Sequence, residues 1–245
     1  MRLPDIIRYG IWAGIVATAN ANRRHYGMTT TWLPHLLANT CTLLLPDIYG
    51  RLAPRERECA VDMLRTAPRT QPARGTEWRV IHDTLHAIVC DNPGYVVYMA
   101  PLAAGYLLSH PQFNIYKGTL AEKRLAGFGL DALPHAATAF ALVAFVGDGV
   151  HEAVRHAAHE SRLARPLRWG DAHQALLSAA VLTLATIIWE FGEYKIHLSE
   201  LAQRSDTSEI NMQWSPQDTV YDCVANVIGW GLAVAWRTRR FSAPL

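Results

Sequence analysis

Residues 189–230, WEFGEYKIHLSELAQRSDTSEINMQWSPQDTVYDCVANVIGW, set ionisable groups at helical spacing along the edges of two apolar segments. Glu190, Glu193 and His197 fall at i, i+3 and i+7, and Asp218, Asp222 and Asn226 recur every fourth residue. As helices, both segments carry a polar stripe. Apolar surroundings penalise such a stripe unless its groups are paired, protonated or holding a cation. The fold therefore turns on what surrounds these two segments.

The whole chain has 245 residues, 50% hydrophobic and 18% charged, and its charge is segregated. Long runs almost free of charge alternate with arginine-dense connectors, the pattern of a polytopic membrane protein with short loops. Six apolar segments can be drawn at 6–21, 30–49, 80–109, 132–150, 172–191 and 218–236. Arg8 interrupts the first, whose uncharged run is short for a bilayer core of about 30 Å. The third contains Asp91-Asn92-Pro93-Gly94, a break signal that predicts a half-helix, a turn and then a span. A basic connector at 50–79, rich in proline and arginine, has no core pattern, and its middle is expected to form one short surface helix. The connector at 192–217 is acidic. No internal repeat is visible, so 1–245 reads as one all-α membrane domain.

Lys and Arg counts assign the sides. With both termini and the 50–79 and 151–171 connectors on one side, that side holds sixteen basic residues and the other seven. The positive-inside rule makes the first side cytoplasmic, giving about six spans with both termini inside. A soluble helical bundle would need a regular polar face on 132–150 and 172–188, and neither has one. Most of the eight tryptophans fall near the proposed span ends, as an interfacial belt does.

With this topology the ionisable residues collect at one depth. Asp131 and His135 open the fourth span, Glu190 and Glu193 close the fifth, Asp218 and Asp222 open the sixth, and His110 closes the third. Clustered carboxylates repel one another unless some are protonated or a cation lies among them. Helical bundles hold metal ions with inward carboxylates and histidines from several helices, and this mixture suits zinc, iron or manganese. The candidate ligands of a divalent transition metal are therefore Asp131, His135, Glu190, Glu193, Asp218, Asp222 and His110. His135, Glu193 and Asp222 are the candidate catalytic groups, because an imidazole or carboxylate in partly buried surroundings can be tuned for proton transfer. Each of them read alone is a helix cap or an interfacial ion pair.

Two functions stay open at this point. One is a metal-dependent or acid–base membrane enzyme acting on a lipid-soluble small molecule. The other is a proton- or cation-coupled carrier using the same carboxylates, which would usually place them nearer mid-membrane. His82 and His86, in HDTLH, have the four-residue spacing of a metal pair but lack the Glu of the zinc-protease pattern. His151, His156 and His159 stand among arginines and read as a solvated or lipid-headgroup-facing segment. Cys41, Cys59, Cys90 and Cys223 are scattered and read as structural. GxSxG, phosphate-loop and GxGxxG patterns do not occur, and a net charge of +2 without a basic aromatic patch gives no reason to expect nucleic acid.

Taken in order, Asp131-x-x-x-His135, Trp189-Glu190-x-x-Glu193 and Asp218-Thr219-x-x-Asp222, followed by Asn226 and Gly229, resemble the YjdF-like family of small bacterial inner-membrane proteins. Ser109-His110 and the turn up to Gly118 extend the resemblance to roughly residues 95–236. In that family a DxxxH motif opens one span, an ExxE-type motif closes the next and a D-T-x-x-D-type motif opens the last. The longer acidic connector from Lys195 to Gln217 departs from the family pattern, and His82 and His86 have no counterpart in it. The resemblance implies a multi-pass protein of the cell inner membrane, partnered by the lipid bilayer, with no assigned reaction.

Overall fold

The computed structural model describes residues 2–27, 32–66, 73–92, 94–125, 127–157, 161–203 and 214–242, with backbone alone at Trp32, Pro34, 52–66, 73–76 and 240–242. The described chain is all-helical apart from one minimal hairpin. Its helices are α1 (Leu3–Tyr26), α2 (Trp32–Thr66), α3 (Ala73–His86), α4 (Tyr95–Leu107), α5 (Ala132–His156), α6 (Ala164–Ala172), α7 (Gln174–Gln203) and α8 (Pro216–Ser242). Between α4 and α5 the strands β1 (Arg124–Leu125) and β2 (Phe128–Gly129) pair antiparallel. The described residues of the six apolar segments fall mainly on these helices, residues 30, 31 and 93 lying outside the described residues. The middle of the 50–79 connector, however, is a continuation of α2 to Thr66 rather than a separate short helix, and its last residues, from Ala73, already belong to α3.

The 80–109 segment divides at its break signal. α3 runs into a wide π-type turn at Ala87–Asp91, and the extended backbone of Asn92 ends it. Asn92 Oδ1 accepts from the Gly94 amide at 2.8 Å and Asn92 O from the Tyr95 amide at 3.1 Å, which turns the chain into α4.

α5 is the centre of the packing. On one side Ala144 joins Ile15 of α1, Leu43 of α2, Val89 of the π turn and Tyr95, Tyr98, Met99 and Ala103 of α4. On the other, Ala139 and Val143 meet Leu182 of α7 and Ala233 of α8. The α5–α8 contact is the most extensive between any two elements. It is made by small residues: Ala225, Gly229 and Ala233, one every fourth residue of α8, are buried. At Gly229 the backbones come so close that a Cβ would stand 2.1 Å from Ala136 O and 2.9 Å from Ala139 Cβ. Close crossings through small residues are how helices associate where no hydrophobic effect drives them together.

Charged groups fasten the same bundle. Arg237 of α8, only 5% exposed, donates to Asp148 of α5, to Ala144 O at 3.3 Å and to Gln174 Oε1 of α7 at 3.1 Å. Tyr98 of α4 donates to the other Asp148 oxygen. Gly147 makes room for the guanidinium, since a Cβ there would lie 2.5 Å from Arg237 Nε. Arg8, which weakens the first segment in sequence, is answered by α2. Its guanidinium donates to Asp47 and to Leu43 O, and Tyr9 donates to Asp47 Oδ1 at 2.6 Å.

Among the described residues two helices, α5 and α7, are long and apolar enough to cross a membrane. Only 6% of the apolar window of α7 is buried, and Leu176, Leu184, Ile187, Ile188 and Phe191 are exposed along it.

Candidate functional site

Three carboxylates from two helices meet. Glu190 and Glu193 lie on one side of α7 because three residues nearly complete a helical turn, and Asp222 sits in the second turn of α8. One carboxylate oxygen from each of Glu190, Glu193 and Asp222 lies within 4.8 Å of the other two. His135, in the first turn of α5, brings Nε2 to 3.4 Å from Asp222 Oδ1. Asp222 is only 4% exposed, so little water reaches it.

The neighbours hold this geometry. Thr219 Oγ1 donates to Glu190 Oε2 at 2.5 Å, while Glu190 Oε1 is buried without a hydrogen-bond partner. One turn below Asp222, Asn226 Nδ2 donates to Thr186 Oγ1 at 3.1 Å and ties α8 to α7. The sequence reading assigned Thr219 and Thr186 no role. Thr219 carried a local signal, since it precedes Asp222 by three residues and so shares its helix face. Thr186 carried none.

The other candidate ligands lie at the rim or away from it. Asp131 caps α5, its Oδ1 accepting from the Ala132 amide at 3.1 Å, and Asp218 stands in the first turn of α8. His110 is turned toward its own loop, its ring stacked 4.9 Å from Phe113 and its Nδ1 accepting from the Gln112 amide at 3.3 Å. His135, Glu190, Glu193 and Asp222 are thus brought together, and His110 is not placed among them.

An aromatic group flanks the cluster. His35 of α2 lies 5.7 Å from Tyr106 of α4, stacked, and 6.0 Å from Trp189, edge-on, so α2 reaches the residue before Glu190. Tyr116, in the loop after α4, donates to Gly105 O at 3.1 Å. Desolvation, then the negative charges of Asp131, Glu193 and Asp222, push its phenol above the usual tyrosine range. His35 and Tyr116 are far from the cluster in sequence, and no spacing rule points to them.

No family model, curated protein or solved structure matches this chain. The chemistry of the site must be argued from its geometry. Three carboxylates at this separation hold up to three negative charges with one imidazole among them. Such a group is stable only when protons or a cation offset the repulsion. Carboxylates from two helices and a histidine from a third are a donor set for a borderline divalent ion.

Proposed function

We propose that this chain is a multi-pass protein of the cell inner membrane, with about six spans and cytoplasmic termini, whose carboxylate–histidine site binds a divalent transition metal and acts on a lipid-soluble small molecule. The convergence of Glu190, Glu193 and Asp222 within 4.8 Å, with His135 against Asp222, carries this reading. The residues that meet are also those on which the resemblance to the YjdF-like family rests.

The exposed apolar length of α7 supports the membrane setting. The core helix of a soluble protein hides its apolar residues, whereas α7 buries few of its own fully and leaves many exposed. Lipid chains are the surroundings that make such a surface inexpensive. After a carbonate wash the protein is expected to stay with the membrane pellet, and its release into the supernatant would refute the setting.

In the proposed enzyme Glu190, Glu193, Asp222 and His135 are the ligand set, and a bound cation would supply Lewis acidity and a hydroxide source at neutral pH. Thr219 orients Glu190 by its hydrogen bond, and the close α5–α8 crossing keeps Asp222 out of water. With no cation bound, Glu193, His135 and Asp222 are instead the groups suited to hold or move a proton. The carrier reading is disfavoured by the layer below the site. Below the Asn226–Thr186 pair, Ala139, Val143, Leu182 and Ala233 form an apolar cluster on the stretch of α5, α7 and α8 that leads to the Arg237–Asp148 pair, and none of these four side chains could relay an ion.

Elemental analysis of detergent-purified protein tests the metal. Wild type is expected to carry a transition metal at a fixed stoichiometry, and Glu193→Gln to lose most of it. Metal-free wild type whose melting temperature is unchanged by a chelator would overturn the metal reading.

A further inference from the structure

A second donor set lies on α3, far from the carboxylates. His82 and His86 are one helical turn apart, their rings 6.4 Å apart with planes inclined at 26°. Each has a carboxylate on the same ring nitrogen: His82 Nδ1 is 3.1 Å from Asp83 Oδ1, and His86 Nδ1 is 3.0 Å from Asp91 Oδ2. An ionised carboxylate can only accept, so each Nδ1 carries the hydrogen and each neutral ring presents its Nε2 lone pair. A carboxylate behind an imidazole is the arrangement that orients metal-ligating histidines and raises their basicity.

The Nε2 of His82 gives this pairing its direction. The residue is only 9% exposed, and its Nε2 is buried with no hydrogen-bond partner. A buried acceptor left unmatched has lost its water without gaining a partner, which is unfavourable until a donor or a cation meets it. Two oriented imidazoles on one helix face, one with an orphan lone pair, offer what a borderline metal ion uses. The Tyr49 ring closes the other side, 5.8 Å from His82 and 6.4 Å from His86, and its hydroxyl donates to His82 O at 3.3 Å.

We infer that His82 and His86 form a second metal site, a two-imidazole site for zinc, copper or nickel whose remaining positions are filled by water. It is separate from the carboxylate cluster. The π turn following His86 packs against α5 at Gly149, where a Cβ would lie 3.4 Å from Ile88 Cδ1. Gly149 is fourteen residues along α5 from His135, which is about 20 Å of helix. The site therefore stands whether or not the carboxylates bind a metal.

Cu²⁺ is the probe, read by electron paramagnetic resonance on full-length protein in detergent, because coordinated imidazole nitrogens split the signal and carboxylates do not. Wild type is expected to show one Cu²⁺ with a two-nitrogen pattern that persists in Glu193→Gln. His86→Ala should lose that pattern. Asp91→Asn, at an exposed position where folding is not at stake, should weaken Cu²⁺ binding about 10- to 100-fold. A two-nitrogen signal unchanged in His86→Ala, or no nitrogen-coordinated Cu²⁺ in wild type, would overturn the site.

Discussion

Replacing Arg237 by alanine is expected to destabilise the bundle by about 3–5 kcal/mol, because it leaves the Asp148 carboxylate inside the protein without its cation. Arg237 also donates to Ala144 O and Gln174 Oε1, so the change breaks ties to α5 and α7 together. Detergent-purified protein should unfold at a markedly lower temperature. The double variant Asp148→Asn/Arg237→Gln, which removes both charges, should recover much of the loss, since the larger part of the single-variant cost is the stranded charge. If the double variant were no more stable than Arg237→Ala, the pair would not be the source of the effect.

Gly229→Ala is the second large effect. The added methyl group would stand 2.1 Å from a backbone oxygen, Ala136 O, which unlike a flexible side chain cannot swing aside. The helices must separate, at a cost of about 1–3 kcal/mol for overpacking. The better helix propensity of alanine, up to about 1 kcal/mol, offsets only part of this. Gly231, two residues on, faces open space, with nothing within 4 Å of where a Cβ would stand, so Gly231→Ala should leave stability unchanged or slightly raise it. Paired thermal melts of the two variants give the comparison, and equal responses would mean that the α5–α8 crossing is not close-packed. Since Asp222 and His135 sit on these two helices, Gly229→Ala should also reduce metal retention.

Much of the helical layout could be read from the chain because hydrophobic runs and break signals are local. The Asn92-Pro93-Gly94 break and the apolar runs of α5 and α7 are of this kind. Continuation of α2 to Thr66 was not legible, since proline and arginine at 51–57 mark a connector by composition. The site was legible where spacing shows a face: Glu190 with Glu193, and Asp222 with Thr219, announce themselves at i, i+3. What spacing cannot convey is which faces meet. The sequence placed His110 and His135 at the same depth, yet only His135 reaches a carboxylate of the cluster, because His110 is held by Phe113 in its own loop. Arg8 and Arg237 likewise read as topology signals, whereas both are buried and paired with aspartates more than thirty residues away.

The pairs His135–Asp222 and Asp148–Arg237 join α5 and α8 near their beginnings and again several turns further on, so the two helices run parallel and are pinned at two levels. Sliding one past the other by a single turn, about 5.4 Å, would break both pins and drive Gly229 out of its crossing. The axial register of α5 and α8 is thereby locked, and Asp222 and His135 keep their separation. The third helix of the site, α7, is held to this locked pair at three levels, by Thr219 on Glu190, Asn226 on Thr186 and Arg237 on Gln174, so Glu190 and Glu193 share its register.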